Sequence, residues 1–279
     1  MYCHERIIDR DIVPRYYPMP SSPAKWTAII PAAGRGTRLQ WTGAKALYPI
    51  LGKPILEWII LEIVDLCESF VFVLSPDTCE AIIPLLDRLL VDRYRVVNQS
   101  LATGTADAVA IALPNVTTES VLVAWGDHVG LTRSTVAAAM RAHEHRCDAI
   151  LTFPTAMRPE PYIAFQRAPD CRLMGLRQAR ERDAMPPLGE SDCGIFLFRA
   201  SALSATLARS PKKEYVGRET KETSLLHFLP MFESFGDGAV LTIRTPDASE
   251  TCGVNTVAEA NLCEATLITR QQTAKFHHG

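Results

Sequence analysis

The chain has 279 residues, 47% of them hydrophobic and 22% charged, with a formal net charge of −2. That size and apolar fraction fill the core of one large domain, or of one domain with a small appendage. The near-neutral charge leaves no global basic field for nucleic acid, and no run approaches the about 20 apolar residues that cross a bilayer.

Short apolar runs alternate with helical spacing along most of the chain. Residues 27–30 read as a buried strand, 55–66 as a helix, 70–74 as a second strand and 79–90 as a helix. Residues 94–97 read as a third strand, 105–113 as an alanine-rich helix, 121–125 as a fourth strand, 136–145 as a helix and 149–153 as a fifth strand. This rhythm predicts an α/β fold, a Rossmann-like and mostly parallel sheet with helices on both faces. Ligands of such sheets sit outside the carboxyl ends of the strands. After Pro154 the rhythm changes, and strand-like pieces at 162–165, 172–176 and 194–198 predict a mixed half with antiparallel strands.

The termini read differently. Residues 1–25 carry four prolines and many charges, which predicts an arm on the surface or on a neighbouring subunit. Residues 273–279 read as a frayed tail. The first 20 residues have no apolar leader core, so we expect a cytoplasmic protein. Eight cysteines, none in a Cys-x-x-Cys pair, read as free thiols.

The chemistry concentrates after the first strand, in Pro31-Ala32-Ala33-Gly34-Arg35-Gly36-Thr37-Arg38 and then Lys45. Small residues there let backbone N–H groups approach phosphate oxygens. Arg38 and Lys45 supply the countercharge. The Walker pattern is absent, and the loop is too long for the tight Rossmann turn.

The whole string resembles the signature of the sugar-1-phosphate nucleotidyltransferases, through Gly34, Gly36, Thr37, Arg38, Lys45, Pro49, Gly52, Lys53 and Pro54. Ala44 departs from it, since the family often has proline before the lysine. The resemblance implies Arg38 and Lys45 as catalytic residues, with Ala32, Ala33, Gly34, Gly36 and Thr37 against the nucleotide. The segment Gln99 to Gly104-Thr105 resembles the base-reading block of the uridylyltransferase acting on N-acetylglucosamine 1-phosphate. Gln99 would read the pyrimidine through one donor and one acceptor, and Gly104 would let the base approach the backbone. Asp127, after Gly126, and Asn255, in Gly253-Val254-Asn255, match the family's metal ligands. Two hard oxygens suit Mg²⁺, the cofactor implied. Asn255 also reads, alternatively, as a cap of the helix beginning near Val257. His128 reads as a neighbour of the ligands rather than as a base, because a phosphate dianion needs none.

The acceptor half departs from the family. Gln178 and Arg180 stand where it has glutamate and lysine; Arg180 is expected to bind the acceptor phosphate and Gln178 its hydroxyls. Asp192 replaces an asparagine, Ile163 replaces a glycine, and Glu219 begins an acidic block expected to touch the acceptor. The implied division is an arm (1–25), a nucleotidyltransferase domain (26–272, triphosphate-binding over 26–153 and acceptor-binding over 154–272) and a tail (273–279). No hexapeptide-repeat region follows, so no acyl transfer is expected.

The expected partners are a nucleoside triphosphate and a phosphorylated small molecule, without nucleic acid or membrane; a homo-oligomer is left open. The leading expectation is transfer of a nucleoside monophosphate from UTP or dTTP to a sugar 1-phosphate with release of pyrophosphate. A cytidylyltransferase for phosphocholine, an alditol phosphate or a phosphonate is the alternative. A non-catalytic nucleotide-sensing subunit is the alternative of another class.

Overall fold

The computed structural model describes residues 6–13, 25–34, 36–209 and 215–277, with side chains of the last helix as far as 273. The chain begins with β1 (Ile7–Asp9), β2 (Trp26–Pro31), the short strands β3 (Pro49–Ile50) and β4 (Lys53–Pro54), and α1 (Ile55–Ile63). It continues with β5 (Ser69–Leu74), α2 (Pro76–Leu90), β6 (Tyr94–Asn98), α3 (Thr105–Ala112), β7 (Ser120–Ala124) and α4 (Arg133–His145). The second half holds β8 (Leu151–Pro159), β9 (Ile163–Arg167), β10 (Leu173–Gln178), β11 (Leu188–Asp192), β12 (Ile195–Arg199), α5 (Ala200–Arg209), β13 (Val240–Arg244) and α6 (Val257–His277).

Nine strands form one sheet in the order β1-β13-β8-β12-β7-β2-β5-β6, with β11 beside β8. Every neighbour on that path is parallel except where β12 runs antiparallel to both β7 and β8; β11 is also antiparallel to β8. The mostly parallel sheet expected from the alternating rhythm is therefore present. Its central strands are apolar runs because both faces are covered, as the five buried residues Trp26–Ile30 of β2 show.

The two faces bury different sets. Ala28, Ile30, Phe70, Phe72 and Leu122 point to one side, against α1, α2, α4 and α6. Ile29, Val71, Val73, Val121 and Phe153 point to the other, against α3, α5, the β9–β10 hairpin and a 3₁₀ segment at Leu225–Phe235. This period-2 division fixes the strand register, since a one-residue slip would carry each set to the wrong face. Each such side chain taken from water stabilises the fold by about 1.5–3 kcal/mol.

Three expectations need correction. The arm is not merely laid on the surface: Ile7–Asp9 is the edge strand, parallel to β13 with Ile7 opposite Thr242. The rest of that region, 1–5 and 14–24, lies outside the described residues. The tail is helical to His277, because nothing in the sequence after Thr273 breaks a helix already nucleated upstream. The cysteines are not all free: Cys67, Cys79, Cys147, Cys193, Cys252 and Cys263 are thiols, but Cys171 is disulfide-bonded, and none of those six is its partner. Among the described residues no helix is long and apolar enough to cross a membrane.

Candidate active site

A cavity of about 350 Å³ opens beyond the C-terminal ends of β2, β6, β7 and β8. The strands end there for a local reason. Small residues follow β2 (Ala32, Ala33, Gly34) and β7 (Gly126), so backbone rather than side chains forms the floor. Arg38 and Lys45 then enter the cavity from successive 3₁₀ turns, Thr37–Leu39 and Lys45–Leu47, anchored by buried Leu39 and Ala46. Of the loop residues expected at the nucleotide, Ala32, Ala33 and Gly34 line the cavity; Gly36 and Thr37 stand outside its wall.

Lys45 is the centre of the arrangement. Its Nζ donates to Asp127 Oδ2 at 2.6 Å and to Asn255 Oδ1 at 2.7 Å. Exposed Arg38 reaches the same Asn255 oxygen at 3.4 Å. The segments of Asp127 and Asn255 are held together through backbone, because Val254 N–H donates to the Asp127 carbonyl at 2.9 Å. Burial would raise the Asp127 carboxyl, yet the Lys45 ammonium and the hydrogen bond with His128 hold it well below the usual carboxylate range. Asp127 is thus ionised at every physiological pH.

Two hard oxygens converging on one cationic point are the donor set that Mg²⁺ takes. The Lys45 ammonium rests between them, so the pair already tolerates a cation, and the residues fit the metal. Asn255 is not the helix cap. Thr256 fills that role: its hydroxyl accepts from Glu259 N–H at 3.2 Å. Glu259 Oε2 accepts from Asn255 N–H and from the Thr256 hydroxyl. This capping box frees the Asn255 amide to face Lys45.

His128 bridges two carboxylates, with Nδ1 3.2 Å from Asp127 Oδ1 and Nε2 3.9 Å from Asp192 Oδ1. Burial pushes the imidazole toward its neutral form, but the Asp127 hydrogen bond and the Asp192 charge outweigh it and raise its pKa. Asp192 is itself raised by burial and accepts from Gly194 N–H at 3.0 Å. Gly194 has φ +79°, and a Cβ there would fall 2.3 Å from His128 Cγ. Only glycine lets the imidazole lie against that turn.

On the base side, Gln99, Gly104 and Thr105 line the cavity. Gln99 Nε2 donates to Thr103 Oγ1 at 3.3 Å and to the Gly104 carbonyl at 3.2 Å, which fixes the amide plane. The expected reason for Gly104 is corrected. The group that approaches it is the chain's own backbone: a Cβ would fall 2.3 Å from Thr223 O, and φ is +118°. Thr103 O accepts from Thr223 N–H, Thr223 O from Ala106 N–H, and Thr105 Oγ1 from Leu225 N–H. The start of α3 is thereby stitched to residues 223–225.

The acceptor side differs more from expectation. Gln178 lines the cavity as a buried residue: Oε1 accepts from Arg180 Nε at 2.9 Å, and Nε2 meets His227 Nε2 at 2.6 Å, which leaves one N–H and one lone pair of the amide. It orients Arg180, which a free amide reading hydroxyls would not do. Arg180 also pairs with Glu222 at 3.3 Å. Glu219 is outside the cavity wall and pairs with exposed Arg182 at 3.3 Å; Glu222 of the same block lines the cavity instead. The shift arises because the segment at 217–222 folds back on itself, with Gly217 N–H donating to Glu222 O. Sequence reasoning also missed Arg158, Tyr162 and Glu259 in the wall. For Arg158 the available signal was its place at the carboxyl end of a strand, where ligands of parallel sheets sit.

The likenesses to known proteins agree with this geometry. The MobA-like NTP transferase domain matches residues 28–190. Bifunctional protein GlmU of Sorangium cellulosum is 26% identical over 260 residues, 90% of this chain and 54% of that protein. GlmU of Desulfitobacterium hafniense is 28% identical over 258 residues, 90% of this chain and 53% of that protein. The chain spans about half the length of the curated relatives it matches. Two solved structures share the fold. A Bacillus anthracis protein assigned as a glucose-1-phosphate thymidylyltransferase has a TM-score of 0.68 at 14% identity, over 86% of this chain and 94% of that one. The inositol-1-phosphate CTP transferase of T. maritima has a TM-score of 0.60 at 18% identity, over 85% and 91%. The family match takes in more than half of the chain, and the protein belongs to the MobA-like NTP transferase domain family, as a nucleotidyltransferase of Rossmann-like fold.

Proposed function

We propose that the chain transfers a nucleoside monophosphate from UTP or dTTP to a sugar 1-phosphate and releases pyrophosphate. One observation carries this reading: Lys45 Nζ lies between the Asp127 carboxylate and the Asn255 amide oxygen, at 2.6 and 2.7 Å, on the floor of the cavity that Arg38 and Gln99 also line. A phosphate-rich substrate pair needs such a point, where cations and a metal-binding carboxylate meet.

In this reading the acceptor's phosphate oxygen attacks the α-phosphorus, a new P–O bond forms, and the bond to the pyrophosphate leaving group breaks. The chain forms no covalent intermediate; it positions two anions and offsets their repulsion. Arg38 binds the leaving pyrophosphate. Lys45 bridges the α-phosphate and the incoming phosphate once its hydrogen bonds to Asp127 and Asn255 loosen. Asp127 and Asn255 would hold Mg²⁺, which would supply charge neutralisation at the phosphates. Gln99, its two N–H groups given to Thr103 and Gly104, presents its carbonyl oxygen to the N–H of a pyrimidine edge. His128, tied to Asp127 and Asp192, orients the carboxylate and moves no proton.

A second reading, a cytidylyltransferase, is favoured by the commitment of Gln178 to Arg180 and His227, which leaves it one N–H and one lone pair for acceptor hydroxyls. Pyrophosphate release decides between them, measured for UTP, dTTP and CTP against glucose 1-phosphate, N-acetylglucosamine 1-phosphate, inositol 1-phosphate and phosphocholine. Turnover with UTP or dTTP and a sugar phosphate supports the first reading. Turnover with CTP alone supports the second. Binding without pyrophosphate release in any pair overturns both.

A further inference from the structure

Arg158 belongs to none of the motifs, yet it lines the cavity from the end of β8. Its NH1 donates to Thr251 O and Thr251 Oγ1, both at 3.2 Å. A guanidinium has five N–H donors. Nε and NH2 of Arg158 meet no partner among the described residues, and no carboxylate there lies within ion-pair distance of it.

The other cations of the cavity are accounted for differently. Lys45 is neutralised by Asp127. Arg180 is held by Gln178 and paired with Glu222, so an anion arriving there must compete with a carboxylate already present. Among the described residues Arg38 has no carboxylate within ion-pair distance, but it belongs to the loop read as holding the triphosphate. Arg158 is therefore the acceptor-half arginine whose charge is left for a ligand to balance. A partly desolvated guanidinium without a counterion favours a bound anion, and its fork suits phosphate oxygens. Its anchor points the same way. Thr251 opens the segment that runs through Gly253, packed against His128, to Asn255. An anion on Arg158 is thus held on the side of the cavity where Asp127 and Asn255 stand.

Building on the nucleotidyl-transfer reading above, we propose that Arg158 binds the acceptor's phosphate, the role the sequence pattern assigns to Arg180. Arg180, with Gln178, Glu222 and His227, then forms the polar wall around the remainder of the acceptor.

The test compares wild type with Arg158→Met and Arg158→Lys, using the acceptor of the panel that sustains pyrophosphate release. Arg158→Met is expected to raise the acceptor KM by about tenfold or more while the triphosphate KM stays within about twofold. Arg158→Lys keeps the charge but not the fork, and falls between. Inorganic phosphate, competing against the acceptor, loses potency in Arg158→Met by a similar factor. An unchanged acceptor KM overturns the assignment. So does a parallel rise of both KM values, which would make Arg158 a brace for Thr251. Should Arg158→Met fail to fold, Arg158→Lys and Arg158→Gln carry the same comparison. If wild type releases no pyrophosphate with any pair, the transfer reading falls by itself. Calorimetric titration with inorganic phosphate, at saturating UTP, then decides Arg158: weaker binding in the variant supports it, and equal binding overturns it.

Discussion

Lys45 has a place in the fold and, in the proposed reading, in the chemistry. Its ammonium offsets the Asp127 carboxylate and also stands where two phosphates would meet. Replacing Lys45 with alanine is expected to lower kcat on the order of 10²- to 10³-fold, since one electrostatic contact to the transition state is lost. Asp127 keeps His128 as a partner, so a thermal melt should show the variant folded; turnover near wild type in a folded variant would remove Lys45 from the mechanism. In the proposed reading Gln99 meets the base. Gln99→Ala is expected to raise the KM for the preferred pyrimidine triphosphate by about tenfold with little change in kcat, a split readable in steady-state kinetics. Arg38, Lys45, Gln99, Asp127 and Asn255 were legible because each sits at a fixed offset within a local string. The exchange of Glu219 for Glu222 was not. Which of the two faces the cavity depends on the fold-back of 217–222, which leaves no spacing in the sequence.

At the scale of elements, the site depends on joints between segments distant in sequence. The joint at Gly104 is the tightest. Gly104→Ala would place a methyl 2.3 Å from Thr223 O at a φ of +118°. The expected result is a loss of more than about 1 kcal/mol and faster hydrogen exchange at the Ala106 and Thr223 amides, which now donate across the joint. Wild-type protection at both amides would show that the joint tolerates a side chain. The start of α6 is a second joint. Thr256→Ala removes the cap and should cost about 1 kcal/mol. Because Glu259 also holds the Asn255 N–H, the same variant should require more Mg²⁺ for half-maximal rate. The alternating strands and helices were legible from period alone. The strands at Leu188–Asp192 and Val240–Arg244 were not, since the first is short and polar and the second lies in a half without a repeating rhythm.

For the molecule as a whole, the first residues close the sheet and brace its far side. Arg10, just after β1, pairs at 2.8 Å with Glu250, whose side chain is fully buried and also accepts from Thr132 and Thr245. Glu250 lies five residues before Asn255. Arg10→Met leaves that carboxylate buried without its cation and is expected to destabilise the fold by about 3 kcal/mol, read from urea unfolding. Acid stability has a separate source in His143. Burial, with help from the Arg199 charge, pulls its pKa down from 6.5 to about 3. Nδ1 meets Thr152 Oγ1 at 2.9 Å, and Nε2 has no hydrogen-bond partner among the described residues. Between those two pKa values the unfolded chain binds a proton at this position and the folded chain does not. Stability therefore falls as pH drops through that window, by up to about 1.4 kcal/mol per unit. His143→Gln removes this slope, so its melting temperature should gain on wild type from pH 6.5 toward pH 4. A constant difference across that range would show that His143 does not titrate on unfolding.

The sequence by itself determined the α/β class, the position of the glycine-containing loop after the first long strand and the residues that meet at Lys45. Those features follow from local periodicity and from motif spacing, which survive without knowledge of distant contacts. Only the tertiary structure decided that residues 7–9 join the sheet, that Gly104 makes room for Thr223, that Gln178 orients Arg180, and that Arg158 stands in the cavity with no carboxylate of the described residues in ion-pair distance. Each of these is a relation between segments far apart in the chain. Close approach, burial and charge balance arise only once those segments have packed, so no local pattern can encode them legibly.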